Sequence, residues 1–279
     1  MPFTKTKNID FIVKDKKIFL TDSFKEKYSG RFKKITGSRF CNVLNLNPHT
    51  SSFKTWCQMV DIYYEPMDEM MANAGNIIEP KLREWIEKNS KYKFTFYDPK
   101  KCGFDVFKDN SIFGGIPDGE PIVNGKIDYK NAPILEIKTT SIDSFLYKKI
   151  DYVFKLQYDE NNKPIIKLRN GKYDKWFDET KNIIIPTEYL FQLGLYCYLR
   201  NTNKGLFVIC FLEYDDYLNP DKCDVNNRKI EVVEYEVDLK QFSIWISKAE
   251  QWYNDHILTG VSPEMNDEDY EFVKGLLNE

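Results

Sequence analysis

Apolar positions recur along this chain with two different periods, and their alternation predicts an α/β fold. Ala74, Ile77, Ile78, Leu82, Trp85 and Ile86 follow a helical stripe, and helices are expected over 38–45, 52–61 and 67–88. Pro80 suits a helix interior poorly, so a kink or restart is expected there. Segment 188–199, EYLFQLGLYCYL, is nearly all apolar and reads as a buried helix. A long amphipathic helix over 240–257 carries Phe242, Trp245, Ile246, Ala249, Trp252 and Tyr253 on one side. Strands are expected over 104–107, 112–115, 120–123 and 133–139, separated by Gly, Pro and Asn turns. The run LFVICFLE ending at Glu213 reads as a fully buried strand, whereas IEVVEYEV at 230–237 alternates like a strand with one exposed face. Two short strands within 9–20, a short helix over 23–28 and a short helix in the tail complete the pattern.

There is no internal repeat and no low-complexity linker. The expectation is one α/β domain over 1–279, a central mixed sheet with helices on both sides. Its core would span about 28–213, and a C-terminal strand and helices 228–279. Within it, 151–186 reads as an insertion. The stretches 153–158 and 164–168 are β-like around Asp159-Glu160-Asn161-Asn162-Lys163, and Asn170-Gly171 is a turn signal. The resulting β-hairpin has three readings: a contact to DNA, a contact to another subunit, or a surface excursion without a task.

Composition narrows the class. The 20 Phe, 18 Tyr and 5 Trp exclude a disordered chain, and 279 residues can bury a sizeable core. A net charge of −3 excludes a general basic coat for nucleic acid but leaves room for a local patch from Lys33, Lys34, Arg39, Lys148 and Lys149. The six cysteines form no CxxC and there are two histidines, which argues against zinc and iron–sulfur sites. No apolar run approaches 18 residues and no basic-then-apolar leader is present, so free thiols in a reducing cytoplasm are expected, with no membrane partner.

Candidate chemistry is concentrated in 114–140, GGIPDGEPIVNGKIDYKNAPILEIKTT. Asp118 follows a proline. Glu136 and Lys138 flank Ile137 on a β-branched run, so as strand residues they share one face with Ile137 turned to the other. Two carboxylates and an ammonium beside a sheet suit a hard divalent cation and an activated water. Short D…ExK matches also arise by chance in charged proteins. Glu79 beside Pro80 is either aimed at such a metal or is a solvated helix charge. Gln192, with Tyr196 one turn on, is an amide inside an apolar helix and needs a partner, whether a catalytic water, a carboxylate or an ordinary core group. Thr36 and Ser38 read as N-caps, and with Arg31 nearby the segment reads as a phosphate site or as a plain capped helix.

Pro117-Asp118 and Glu136-x-Lys138 resemble the PD-(D/E)xK nuclease superfamily, a restriction-endonuclease-like fold. The order Arg31-x6-Ser38, Glu79, Asp118, Glu136-x-Lys138, Gln192-x3-Tyr196 resembles the YqaJ and phage lambda exonuclease-like family, and Asn42–Pro48 resembles its xVLGLNP stretch. The resemblance implies that Asp118, Glu136 and the Ile137 carbonyl hold Mg²⁺, with Mn²⁺ able to substitute. It implies that Glu79 serves the same metal cluster, that Lys138 and Gln192 position the attacking water, and that Arg31 and Ser38 cradle a 5′-phosphate. The expected activity is a 5′→3′ exonuclease on double-stranded DNA ends, used in recombination. A restriction- or repair-type endonuclease and a DNA-binding protein with a decayed site stay open. The resemblance also raises a single-strand annealing protein and a trimeric ring around the duplex as partners. The long insertion and the N-terminal hairpin depart from the family pattern.

Overall fold

In the computed structural model, residues 4–65, 67–150 and 153–277 are described. The chain begins with the hairpin β1 (Phe11–Lys14) and β2 (Lys17–Leu20), turned by Asp15 and Lys16 at φ 52° and 57°. Helix α1 (Asp22–Tyr28) is capped by Thr21, and a 3-10 turn, Ser29–Arg31, follows. Then come β3 (Ile35–Thr36), α2 (Gly37–Val43), α3 (Ser52–Met59) and α4 (Glu69–Asn89). Pro80 lies inside α4 without interrupting it, so the expected kink or restart is not found. Ala74, Ile78, Leu82 and Ile86, all fully buried, pin both halves of the helix to the same layer, which offsets the missing hydrogen bond.

Next are β4 (Lys93–Thr95), not anticipated from the sequence, and α5 (Pro99–Cys102). The strand expected over 104–107 is absent. Phe104 adopts φ 61°, and Asp105 turns back to accept the amides of Phe107 and Gly115 and the Lys34 ammonium at 2.7 Å. That loop is held by a side chain, which apolar patterning does not register. The chain continues through β5 (Phe113–Gly114), which pairs in parallel with β3, then β6 (Glu120–Val123), β7 (Lys126–Ile127) and β8 (Ile134–Ser141).

Short strands β9 (Ser144–Phe145) and β10 (Tyr147–Ile150) precede the insertion, and β11 (Val153–Leu156) and β12 (Ile166–Leu168) lie within it. β11 pairs with β10, and β12 with β9. The expected approach of 153–158 to 164–168 is confined to the bridge Tyr158–Pro164 and the bond from Ile165 N–H to Gln157 O. The chain ends with α6 (Thr187–Leu199), β13 (Lys204–Leu212), α7 (Tyr214–Leu218), β14 (Lys229–Glu236), α8 (Leu239–Trp252), a π-helical turn Tyr253–Leu258, and α9 (Asp267–Leu277).

The central strands run β14-β13-β8, with β13 antiparallel to β14 and parallel to β8. The bridge Gly119–Leu135 brings the start of β6 alongside β8. Parity along β13 divides the core. Phe207, Ile209 and Phe211 join the cluster containing Phe40, Trp56, Leu193 and Phe242, from α2, α3, α6 and α8. Leu206, Val208, Cys210 and Leu212 join the α4 stripe on the opposite face. A mixed sheet with helices on both faces follows, as expected. The six cysteines are free, and no helix of the described residues is long and apolar enough to cross a membrane.

Candidate active site

The same parity rule positions the catalytic candidates. Leu135 and Ile137 enter the α4-side cluster, so Glu136 and Lys138 face α6. Glu136 is completely buried. Its Oε1 accepts Lys138 Nζ at 2.6 Å and Gln192 Nε2 at 2.5 Å, and Gln192 Oε1 accepts Lys138 Nζ at 3.1 Å. The amide inside the apolar helix is thus partnered by an acid and a lysine at once. The other Glu136 oxygen, Oε2, is buried without a hydrogen-bond partner.

Asp118 is half-buried on the turn before β6. Its Oδ2 accepts the Ile137 N–H at 2.8 Å, fixing the carboxylate beside the strand that carries Glu136. Burial, then the Asp118 charge, pushes the Glu136 pKa up to about 8, against the opposing pull of Lys138. For Lys138, burial disfavours the ammonium, but the charges of Glu136 and Asp118 outweigh it and hold the pKa above the ordinary lysine value. Burial therefore favours the neutral form of Glu136 while Lys138 stays charged between two acidic side chains.

Those donors fit a hard cation. A fully buried carboxylate with an unpartnered oxygen beside a second carboxylate is costly, and a dication between them would relieve the cost. No group of three or more His, Cys, Asp or Glu able to hold a metal occurs among the described residues. Two carboxylates with water completing the shell is a magnesium-like arrangement.

The remaining candidates have partners of their own, although Gly37, next to Ser38, lies against the Gln192 side chain. Glu79 forms an ion pair with Arg83 one turn along α4, and the Arg83 guanidinium lies 5.0 Å from the centre of the Phe96 ring. The buried stripe of α4 packs on the sheet face opposite the Glu136 side chain. Arg31 is exposed, its guanidinium 5.8 Å from the centre of the Tyr28 ring. Helix α2 starts at Gly37, earlier than expected. Thr36 makes no side-chain cap, and its hydroxyl pairs with that of Ser38 at 3.2 Å. Arg31 and Ser38 share no hydrogen bond among the described residues.

Residues 28–199, more than half of the chain, match the YqaJ-like viral recombinase domain. The chain belongs to that family. It is similar over nearly its whole length to two proteins described as uncharacterized. MG373 of Mycoplasma genitalium is 49% identical over 98% of both chains, and the MG373 homolog of Mycoplasma pneumoniae is 46% identical over 98% of both. Among solved structures, it resembles an alkaline exonuclease from Laribacter hongkongensis, at 14% identity and TM-score 0.49, over 91% of this chain and all of that one. It also resembles a phage-related exonuclease from Haemophilus somnus, at 12% identity and TM-score 0.45, over 83% of this chain and 98% of that one.

Within the YqaJ-like segment, Glu120 and Tyr196 brace the site, and only Glu120 carried no sequence signal of its own. Glu120, fully buried two residues beyond Asp118, accepts Arg200 Nε at 2.6 Å, Tyr129 Oη at 2.8 Å and the Tyr97 hydroxyl. This network anchors the strand that follows Asp118. Tyr196 is nearly buried, and burial pushes its phenol pKa well up. Its hydroxyl lies 2.9 Å from where a Cβ on Gly37 would be and 2.7 Å from one on Gly115. Gly115 also sits at φ 121°, so both steric room and backbone conformation require glycine there. Tyr196 thus holds the start of α2 and the segment leading to Asp118 against α6.

Proposed function

We propose that this protein is a divalent-metal-dependent nuclease acting on DNA, with a PD-(D/E)xK core and, in its most specific form, 5′→3′ exonuclease activity on duplex ends. The observation that carries the reading is Glu136. It is buried, one oxygen is held by Lys138 and Gln192, the other is buried without a hydrogen-bond partner, and the Asp118 carboxylate acts on it. Family membership supports the reading, because the matched domain is a viral recombinase domain.

Asp118, Glu136 and the Ile137 carbonyl would hold Mg²⁺, with Mn²⁺ as a substitute. When bound, the ion supplies Lewis-acid polarisation of the scissile phosphate and a water of lowered pKa. Lys138 carries a localised charge toward the reacting phosphate and opposes the negative charge that develops in the transition state, where stabilisation accelerates the reaction. Gln192 keeps Lys138 and Glu136 in register through two hydrogen bonds, so neither has to reorient during the reaction. Glu79 enters the same cluster only if it leaves Arg83.

Arg31 and Ser38 are the proposed 5′-phosphate contacts. A second reading, an endonuclease of the same superfamily, has one observation in its favour: Arg31 packs on Tyr28 and Ser38 pairs with Thr36 rather than forming a joint pocket. Linear duplex labelled at either the 5′ or the 3′ end separates the two. The exonuclease reading predicts immediate loss of the 5′ label as mononucleotide while the 3′ label stays on long strands. Internal fragments from the start would establish the endonuclease. A trimeric ring and an annealing-protein partner remain proposals of the same reading.

A further inference from the structure

Lys138 has three N–H donors, and two point at Glu136 Oε1 and Gln192 Oε1. The ammonium also sits 4.6 Å from the centre of the Tyr189 ring. Tyr189 lies in the first turn of α6, three residues before Gln192 and therefore on the same helix face. An aromatic face is the negative pole of the ring quadrupole, and it attracts a desolvated ammonium more strongly than an exposed one. The Tyr189 ring is itself supported, since it stacks on Trp176 at 5.9 Å with 23° between the planes. Trp176 is 4% exposed, packs edge-on against Phe211 of β13 at 5.8 Å, and its carbonyl accepts the Ile184 N–H at 2.7 Å. It belongs to the insertion.

We propose that the insertion is a buttress for the active site, in which Trp176 supports Tyr189 and Tyr189 is a positioning residue that holds the Lys138 ammonium. The physical need is plain. A cation that takes up Glu136 oxygens competes with Lys138 for its main anionic partner. The ring face and Gln192 are the contacts that persist, and without the ring Gln192 alone would restrain the ammonium. The kinetic consequence rests on the nuclease reading, but the packing itself does not.

The experiment uses the full chain with Tyr189→Phe, Tyr189→Leu and Tyr189→Met. It reads kcat and KM on linear duplex with Mg²⁺, and the NMR shift of the Lys138 Hε protons, assigned by their loss in Lys138→Arg. Protons over a ring face are shielded, so wild type and Tyr189→Phe should show upfield Lys138 signals that move downfield in the Leu and Met variants. kcat should fall on the order of ten-fold in Leu and Met with KM unchanged, while Phe stays near wild type. Unshifted Lys138 signals in wild type would overturn the proposal, whether or not any variant folds. Equal losses of kcat in Phe and Leu would also overturn it. If wild type cuts no DNA but the shifts behave as described, the nuclease reading fails and the buttress stands.

Discussion

The Asp118 carboxylate accepts the backbone N–H of Ile137 at 2.8 Å, so the acid on the turn before β6 is tied to the one residue between Glu136 and Lys138. This bond acts alongside the two backbone bonds between Gly119 and Leu135, which hold the same turn against β8. Replacing Asp118 by Ala removes the acceptor as well as the charge and should destabilise the fold by about 1–3 kcal/mol. Asp118→Asn retains an oxygen acceptor and should lose much less. Urea unfolding of both variants checks this, and equal stabilities would show that the bond does not hold the turn.

Lys138 makes a separable contribution. Lys138→Ala should lower turnover by about 10²-fold or more, as for other groups that oppose transition-state charge. Lys138→Arg should not rescue fully, because a planar guanidinium cannot take the place of a compact ammonium between Glu136, Gln192 and Tyr189. Calorimetric Mg²⁺ affinity should change little in either variant. A fall in affinity parallel to the fall in rate would assign the lysine to metal binding instead.

The buried Glu136 gives a pH dependence with a definite sign. Its pKa is pushed up to about 8, above the unfolded carboxyl value, so below pH 8 the metal-free fold favours the protonated acid. A cation must displace that proton, so apparent Mg²⁺ affinity should fall as pH drops from 8 towards 5. By the same linkage, the metal-free protein should lose stability as pH rises from the unfolded carboxyl pKa towards 8. Titration in two buffers of different ionisation enthalpy should detect proton release on Mg²⁺ binding, and no release near pH 6.5 would contradict the assignment.

Much of this site was legible in the sequence because strand parity is a strong rule: Glu136 and Lys138 could only share a face, and a glutamine inside EYLFQLGLYCYL had to find partners. What was hidden depends on long-range packing. Tyr189 looks like one more apolar residue at a helix start, and its cation is 51 positions away in the chain, 189 minus 138. Glu120 is paired across 80 residues with Arg200. Pro80 pointed to an irregularity that would aim Glu79, but the buried stripe of α4 carries the helix through it and Arg83, at i+4, takes the acid. The strand expected over 104–107 gave way to Asp105, whose short side chain bonds locally to the backbone.

Arg31 and Ser38 test end recognition. Wild type should prefer 5′-phosphorylated over 5′-hydroxyl duplex, and Arg31→Ala should erase most of that preference. A charge-assisted phosphate contact is worth roughly 1.5–3 kcal/mol, about ten- to a hundred-fold. Ser38→Ala should have a smaller effect. Equal rates on the two end types would leave Arg31 to its contact with Tyr28.

The most direct test of the account is nucleotide release from linear duplex and from covalently closed circles, with Mg²⁺ or EDTA, by wild type and by Asp118→Asn. The account predicts release from linear duplex by wild type with Mg²⁺ alone, intact circles throughout, and no release by Asp118→Asn although the variant folds and still binds DNA. Degradation of linear duplex by Asp118→Asn at the wild-type rate, or by wild type in EDTA, would contradict it.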